Sequence, residues 1–152
     1  MKLEDAIKQV KPFQSPYHKL LVNILYSSNW IVEQQKKLLD SFDITNQQYN
    51  ALRILKGCYP TPVTTSVIRE RMLDKMSDTS RLIDRLCIKK LVVKTLTPED
   101  KRRVDILITP VGIELLDNIR AEEEWNTIFD SITQEEAELM SDLLDKIRTI
   151  DE

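Results

Sequence analysis

Residues 76–112 read MSDTSRLIDRLCIKKLVVKTLTPEDKRRVDILITPVG, and this stretch decides the fold. Its first part combines Ser, Thr and Arg with Met76, Ile83, Leu86 and Cys87, which fall about one helical turn apart and predict an inward-facing stripe. Residues 91–96 and 104–109 are β-branched runs of strand character. The charged segment Pro98-Glu99-Asp100-Lys101-Arg102-Arg103 joins them as a loop. Helix, strand, basic tip, strand and helix in that order predict a helix-turn-helix followed by a β-hairpin wing.

Outward from this unit the chain reads as helix. Residues 15–42 form one long helix, with Ser15 as N-cap and Pro16 at the first helical position. Leu21, Leu25, Val32 and Leu39 make one apolar stripe on it, and Ile24, Ile31, Leu38 and Phe42 make another. A helix apolar on two sides is covered on two sides, and in a chain of 152 residues a second subunit is the better cover. Thr45 and Gln48 form a capping box for a helix to about Lys56, which Gly57 can close. Tyr59-Pro60-Thr61-Pro62 is a rigid turn, and Thr64 or Thr65 caps a short helix to about Met72. The chain turns near Asp74, and Ser77 caps a helix at about 78–90. Pro110 starts a long helix to about Phe129, and a Thr133–Glu136 capping box opens the last helix, to about Ile150. The expected fold is mainly α with a small β-hairpin wing, in the order α-α-α-α-β-β-α-α. Residues 1–152 read as a single domain, with 1–42 and 110–152 as dimerisation helices around a winged helix-turn-helix lobe at 45–109.

The formal net charge of −3 conceals an asymmetry. Residues 69–103 carry a net +5, whereas residues 110–152 carry a net −10. A net acidic protein can still bind a polyanion where its positive charge is local. No apolar run approaches the length that spans a bilayer, and the start MKLEDAIKQV lacks a signal-peptide core. The expected location is cytoplasmic, with Cys58 and Cys87 reduced.

Ser77, Thr79, Ser80, Arg81 and Arg85, with Asp78 among them, supply the small polar and cationic groups that a helix uses to enter the major groove of double-stranded DNA. Arg81 and Arg85 share a face by their i,i+4 spacing. On an isolated helix, the same arginines would read as a solvated surface paired with Asp78 and Asp84. Lys101, Arg102 and Arg103 at the hairpin tip shift that balance, because an exposed cationic loop can reach a minor groove.

These residues also resemble the MarR family of bacterial winged-helix regulators over nearly the whole chain. The resemblance is sharpest at Ser80-Arg81-Leu82-Ile83-Asp84-Arg85-Leu86, Leu91-Val92, Asp100-Lys101-Arg102-Arg103-Val104 and Leu107-Ile108-Thr109-Pro110-Val111-Gly112. It implies that Arg102 is the wing-tip arginine of the minor groove, that the helix at 78–90 reads the major groove, and that the protein is a triangular homodimer. One departure is Lys90, where the family usually has Gly; a non-Gly residue in a left-handed cap costs on the order of 1 kcal/mol. Many relatives hold a small aromatic or phenolic effector between the dimer helices and the DNA-binding lobe. The candidate effector pocket here is Tyr26, Trp30, Tyr49 and Arg53, whose aromatics read first as core or interface residues.

Neither cysteine lies in a CxxC motif, and His18 is the single histidine, so no metal site, cofactor or catalytic constellation is expected. The leading expectation is a homodimeric repressor on an inverted-repeat operator. The alternative is a winged-helix dimer that serves as a protein-interaction module without specific DNA binding.

Overall fold

The computed structural model describes residues 1–97, 100–121 and 125–149. The chain forms two compact units, residues 1–120 and 121–152. The first unit opens with a short helix α1 (Leu3–Ala6) and the long helix α2 (Pro16–Asp40). Helix α3 (Asn46–Cys58), strand β1 (Val63–Thr64), helix α4 (Thr65–Arg71) and helix α5 (Thr79–Ile88) follow. Strands β2 (Val92–Thr97) and β3 (Asp100–Ile108) then lead to helix α6 (Pro110–Ala121). The second unit holds a 3-10 turn at Trp125–Phe129 and helix α7 (Gln134–Arg148).

Side-chain caps set most helix starts. Ser15 Oγ accepts from the His18 N–H at 3.1 Å, with Pro16 at N1. Thr45 Oγ1 accepts from the Gln48 N–H at 3.1 Å, while the Thr45 N–H donates to Gln48 Oε1 at 3.2 Å. Thr133 and Glu136 close the same reciprocal box for α7. Each box satisfies two N–H groups that the helix itself leaves without partners. At α5 the cap is Asp78, whose Oδ1 accepts from the Arg81 N–H at 3.1 Å. Ser77, the expected cap, instead donates to the Asp74 carbonyl at 2.9 Å and closes the preceding turn. Gly57 lies within α3, and the chain leaves that helix at Tyr59. Of the helix expected from 110 to 129, Pro110–Ala121 is α6 and Trp125–Phe129 is a 3-10 turn, while residues 122–124 lie outside the described residues.

The sheet has three antiparallel strands in the order β1-β3-β2. Strand β1, which the sequence reading did not include, pairs Val63 with Ile106 and Thr64 with Asp105. In the hairpin, Leu96 pairs with Val104 and Thr97 with Asp100. This register shift leaves the backbone of Lys101, Arg102 and Arg103 without opposing residues on β2, the geometry of a β-bulge. The basic tripeptide therefore belongs to β3 and not to a loop, because pairing continues to residue 97 on the other strand.

One core holds the lobe together. Leu52, Leu55, Ile68, Ile83, Leu86, Ile106, Ile108, Leu116 and Ile119 are buried in a single cluster with Leu39 from α2. Met76, expected on the inward stripe, is 92% exposed because it precedes α5 and lies outside its helical register.

The end of α5 is built against chain preference. Lys90 has φ 60°, in the left-handed region. Its N–H donates to the Cys87 carbonyl at 2.9 Å, and the Leu91 N–H donates to the Leu86 carbonyl at 3.0 Å. That pair of bonds is a Schellman close, in which glycine is the unstrained choice. Lys90→Gly is expected to raise stability by about 1 kcal/mol, read as a higher urea midpoint at unchanged m-value.

Candidate nucleic-acid interface

The site is built from α5 outward. Leu82, Ile83 and Leu86 are buried on one side of the helix, so Ser80, Arg81, Asp84, Arg85 and Ile88 are left exposed on the other. The turn that delivers α5 is pinned to α3 by polar groups. The Leu73 N–H donates to Asn50 Oδ1 at 2.9 Å, and Gln47 Nε2 donates to Asp74 Oδ2 at 3.3 Å. Asp74 Oδ1 also accepts from the Met76 N–H at 2.9 Å. Just past its far end, the C-cap residue Lys89 pairs with Asp43 at 3.2 Å. Lys94 of β2 pairs with Asp84, which ties the helix laterally to the hairpin.

Of the residues expected to face DNA, Ser80, Arg81 and Arg85 share the outward side of α5. Ser77 is half-buried in the turn. Thr79 is 1% exposed, and its hydroxyl has no hydrogen-bond partner among the described residues. At the first position of α5 its side chain turns inward, away from the face of Arg81. Thr79→Val replaces an unsatisfied buried hydroxyl by an isosteric methyl and is expected to stabilise the fold by roughly 1 kcal/mol, measured by thermal unfolding. The side chains of Lys101, Arg102 and Arg103 lie outside the described set; their backbone places them on β3, next to the tip.

The charges on the α5 face are weakly committed. Arg81 Nε is 4.0 Å from Asp78 Oδ2, with both side chains largely exposed. Such a pair contributes little, so Arg81 can exchange it for another anion. Asp84 is taken up by Lys94, which lowers its repulsion toward an incoming polyanion. Arg85 makes no ion pair among the described residues.

The four residues of the candidate effector pocket fall into two pairs. Tyr26 and Trp30 are partly exposed on α2. On α3, the Arg53 guanidinium lies 5.9 Å from the Tyr49 ring centroid and donates to its hydroxyl at 3.5 Å. A cleft of about 720 Å³ between α2, the start of α3 and the turn before α5 is lined instead by residues such as Val32, Lys36, Asn46, Asn50 and Met72.

Cys87 is packed against the core, and burial pushes its thiol pKa up; Lys94 opposes the shift and Asp84 adds to it. Cys58 accepts a hydrogen bond from Arg71 at 3.1 Å. Among the described residues no cluster of His, Cys, Asp or Glu could hold a metal ion, and no helix is long and apolar enough to cross a membrane.

A helical lobe that presents one amphipathic helix beside a two-stranded hairpin, with a third short strand on the hairpin's other edge, defines a winged helix-turn-helix protein. No family model and no curated protein matches the chain by sequence. Solved structures do match. A MarR transcription factor from Planctomyces limnophilus is 26% identical, with a TM-score of 0.65 over 90% of this chain and 95% of that one. Staphylococcus aureus MepR in its DNA complex is 25% identical, with a TM-score of 0.73 over 88% and 96%. The organohalide-sensing regulator RdhR, bound to 2,4-dichlorophenol, shares the fold at 23% identity and a TM-score of 0.77 over 91% and 88%. The chain has the winged-helix fold of these MarR-family transcription regulators and resembles them over most of its length.

Proposed function

We propose that this protein is a homodimeric, sequence-specific DNA-binding transcription regulator that represses by occupying an inverted-repeat operator. The observation that carries this reading is the outward face of α5, where Ser80, Arg81 and Arg85 are exposed, Arg81 held only by its long pair with Asp78, while the opposite face is spent on the core. Lys101, Arg102 and Arg103 fall in β3, the second strand of the hairpin whose first strand Lys94 joins to Asp84 of α5. The DNA complex of MepR supports the same use of this fold.

The dimer is supported by apolar surface that the single chain leaves open. Leu20, Leu21, Leu25 and Val32 are exposed on α2, and Leu139, Met140, Leu143 and Ile147 are exposed on α7. No residue of α7 is buried, although the helix is amphipathic, so its apolar side suits a partner subunit. A two-fold pair of lobes would set two α5 helices about one DNA turn apart.

We infer further that a small aromatic or phenolic molecule bound near Tyr26, Trp30, Tyr49 and Arg53 releases the DNA. The dichlorophenol complex of RdhR supports this class of ligand. Such a ligand acts only through different affinities for the DNA-competent and incompetent states.

The test is fluorescence anisotropy of the purified protein on its own upstream intergenic duplex and on a scrambled duplex across a salt series. Salt-sensitive preference for the native duplex is the expected result. Absence of binding to either duplex would overturn the reading in favour of a protein-interaction module. Adding 2,4-dichlorophenol to the bound complex then tests release.

A further inference from the structure

Ile88 is the residue of α5 that neither the fold nor the cationic face accounts for. It is 80% exposed on a helix whose other apolar residues supply the core. At about 100° per residue it lies about 20° from Arg81 and about 60° from Arg85, near the middle of the outward face. Its removal from the surface would cost no core contact, and a polar residue there would suit a purely solvated face better. The surroundings are largely cationic: Arg81 and Arg85 lie to one side of it, and Lys90 follows it, exposed and without an ion pair among the described residues. Asp84, the acidic group on this face, is drawn off by Lys94.

An apolar side chain set among arginines on a groove-facing helix has one chemical match in duplex DNA. The thymine C5-methyl is the apolar group that the major groove displays, and where a T·A pair adjoins a G·C pair it lies near the acceptors that arginine recognises on guanine. We propose that Ile88 is a specificity-determining residue that packs on a thymine methyl in each half-site, so that the operator pairs a guanine read by arginine with a thymine read by Ile88. This inference rests on the DNA-binding reading above.

The test uses the full-length protein and a duplex selected by it from random-sequence DNA. Each dT of one half-site is replaced in turn by deoxyuridine, which deletes only the methyl. One such replacement is expected to weaken wild-type binding about fourfold, the value of one buried methyl-sized group. Ile88→Ala is expected to bind the unmodified duplex more weakly and to be indifferent to that same replacement, whereas Ile88→Val retains the sensitivity. Circular dichroism of both variants should match wild type, since Ile88 is outside the core. Wild-type indifference at every dT, or a sensitivity that persists in Ile88→Ala, would overturn the assignment while leaving DNA binding intact. Failure to select any preferred duplex would overturn both readings.

Discussion

Gly112→Ala is expected to unfold the lobe at markedly lower denaturant than wild type. A methyl at this position would run into the Leu91 carbonyl oxygen and lie 2.8 Å from Ile108 Cγ1. Neither neighbour can move cheaply. The Leu91 carbonyl already accepts from the Thr109 N–H at 3.0 Å, and Ile108 is a core residue. Overpacking of a close-packed site costs roughly 1–3 kcal/mol, and a rigid backbone contact places this one toward the upper end. For a chain of this size that corresponds to a fall in Tm on the order of 10 °C. The other glycine supplies the control. A methyl at Gly57 meets nothing within 4 Å, so Gly57→Ala, in the last turn of α3, is expected to stabilise by up to about 1 kcal/mol. Urea unfolding followed by circular dichroism should move in opposite directions for the two variants. Equal midpoints would show that Gly112 is not held by close approach.

Arg81→Ala is expected to weaken operator binding by about 30-fold or more without loss of thermal stability. A bidentate arginine–guanine contact is worth roughly 1–3 kcal/mol, and a dimer loses it twice. Stability should be unaffected because Arg81 is exposed and its 4.0 Å pair with Asp78 contributes little. The variant should also tolerate base changes that wild type rejects. Arg102→Ala is expected to behave differently: weaker binding on every sequence and a shallower salt dependence, as for a residue that neutralises phosphate charge near the minor groove. Anisotropy across salt separates the two patterns. Unchanged affinity and preference in Arg81→Ala would return that residue to an ordinary solvated surface.

The features legible in the sequence were those in which one residue type has one local use. Ser15-Pro16, Thr45 with Gln48 and Thr133 with Glu136 announce helix starts because the capping hydroxyl, N1 proline and third-position carboxamide or carboxylate have fixed spacing. The buried stripe of α5 was legible at Ile83 and Leu86 for the same reason of period. Where two residues could do one job, sequence did not choose: Ser77 and Asp78 are adjacent capping types, and geometry selected Asp78. The left-handed turn at Lys90 was visible only through the family resemblance, since lysine itself does not call for it. Strand β1 and helix α1 are too short to show a period, and their formation depends on partners distant in sequence. In the candidate site, Ser80, Arg81 and Arg85 fell on the expected face, whereas Thr79 turned inward by one step of the helix. Ile88 passed unnoticed because an isoleucine at helical spacing reads as core until the packing around it is seen.

The junction of Lys90, Leu91, Thr109 and Gly112 has a mechanical consequence. Thr109 Oγ1 donates to the Lys90 carbonyl at 2.8 Å and accepts from the Gly112 N–H at 3.1 Å. The end of α5, the root of the hairpin and the first turn of α6 are thus knotted at one point, while Asp84 and Lys94 brace helix and hairpin farther out. A torque applied along α6 reaches α5 without slack. On the DNA-binding reading, the lobe would then turn as one piece, and its fit to a duplex would follow the angle of the whole head more than bending within it.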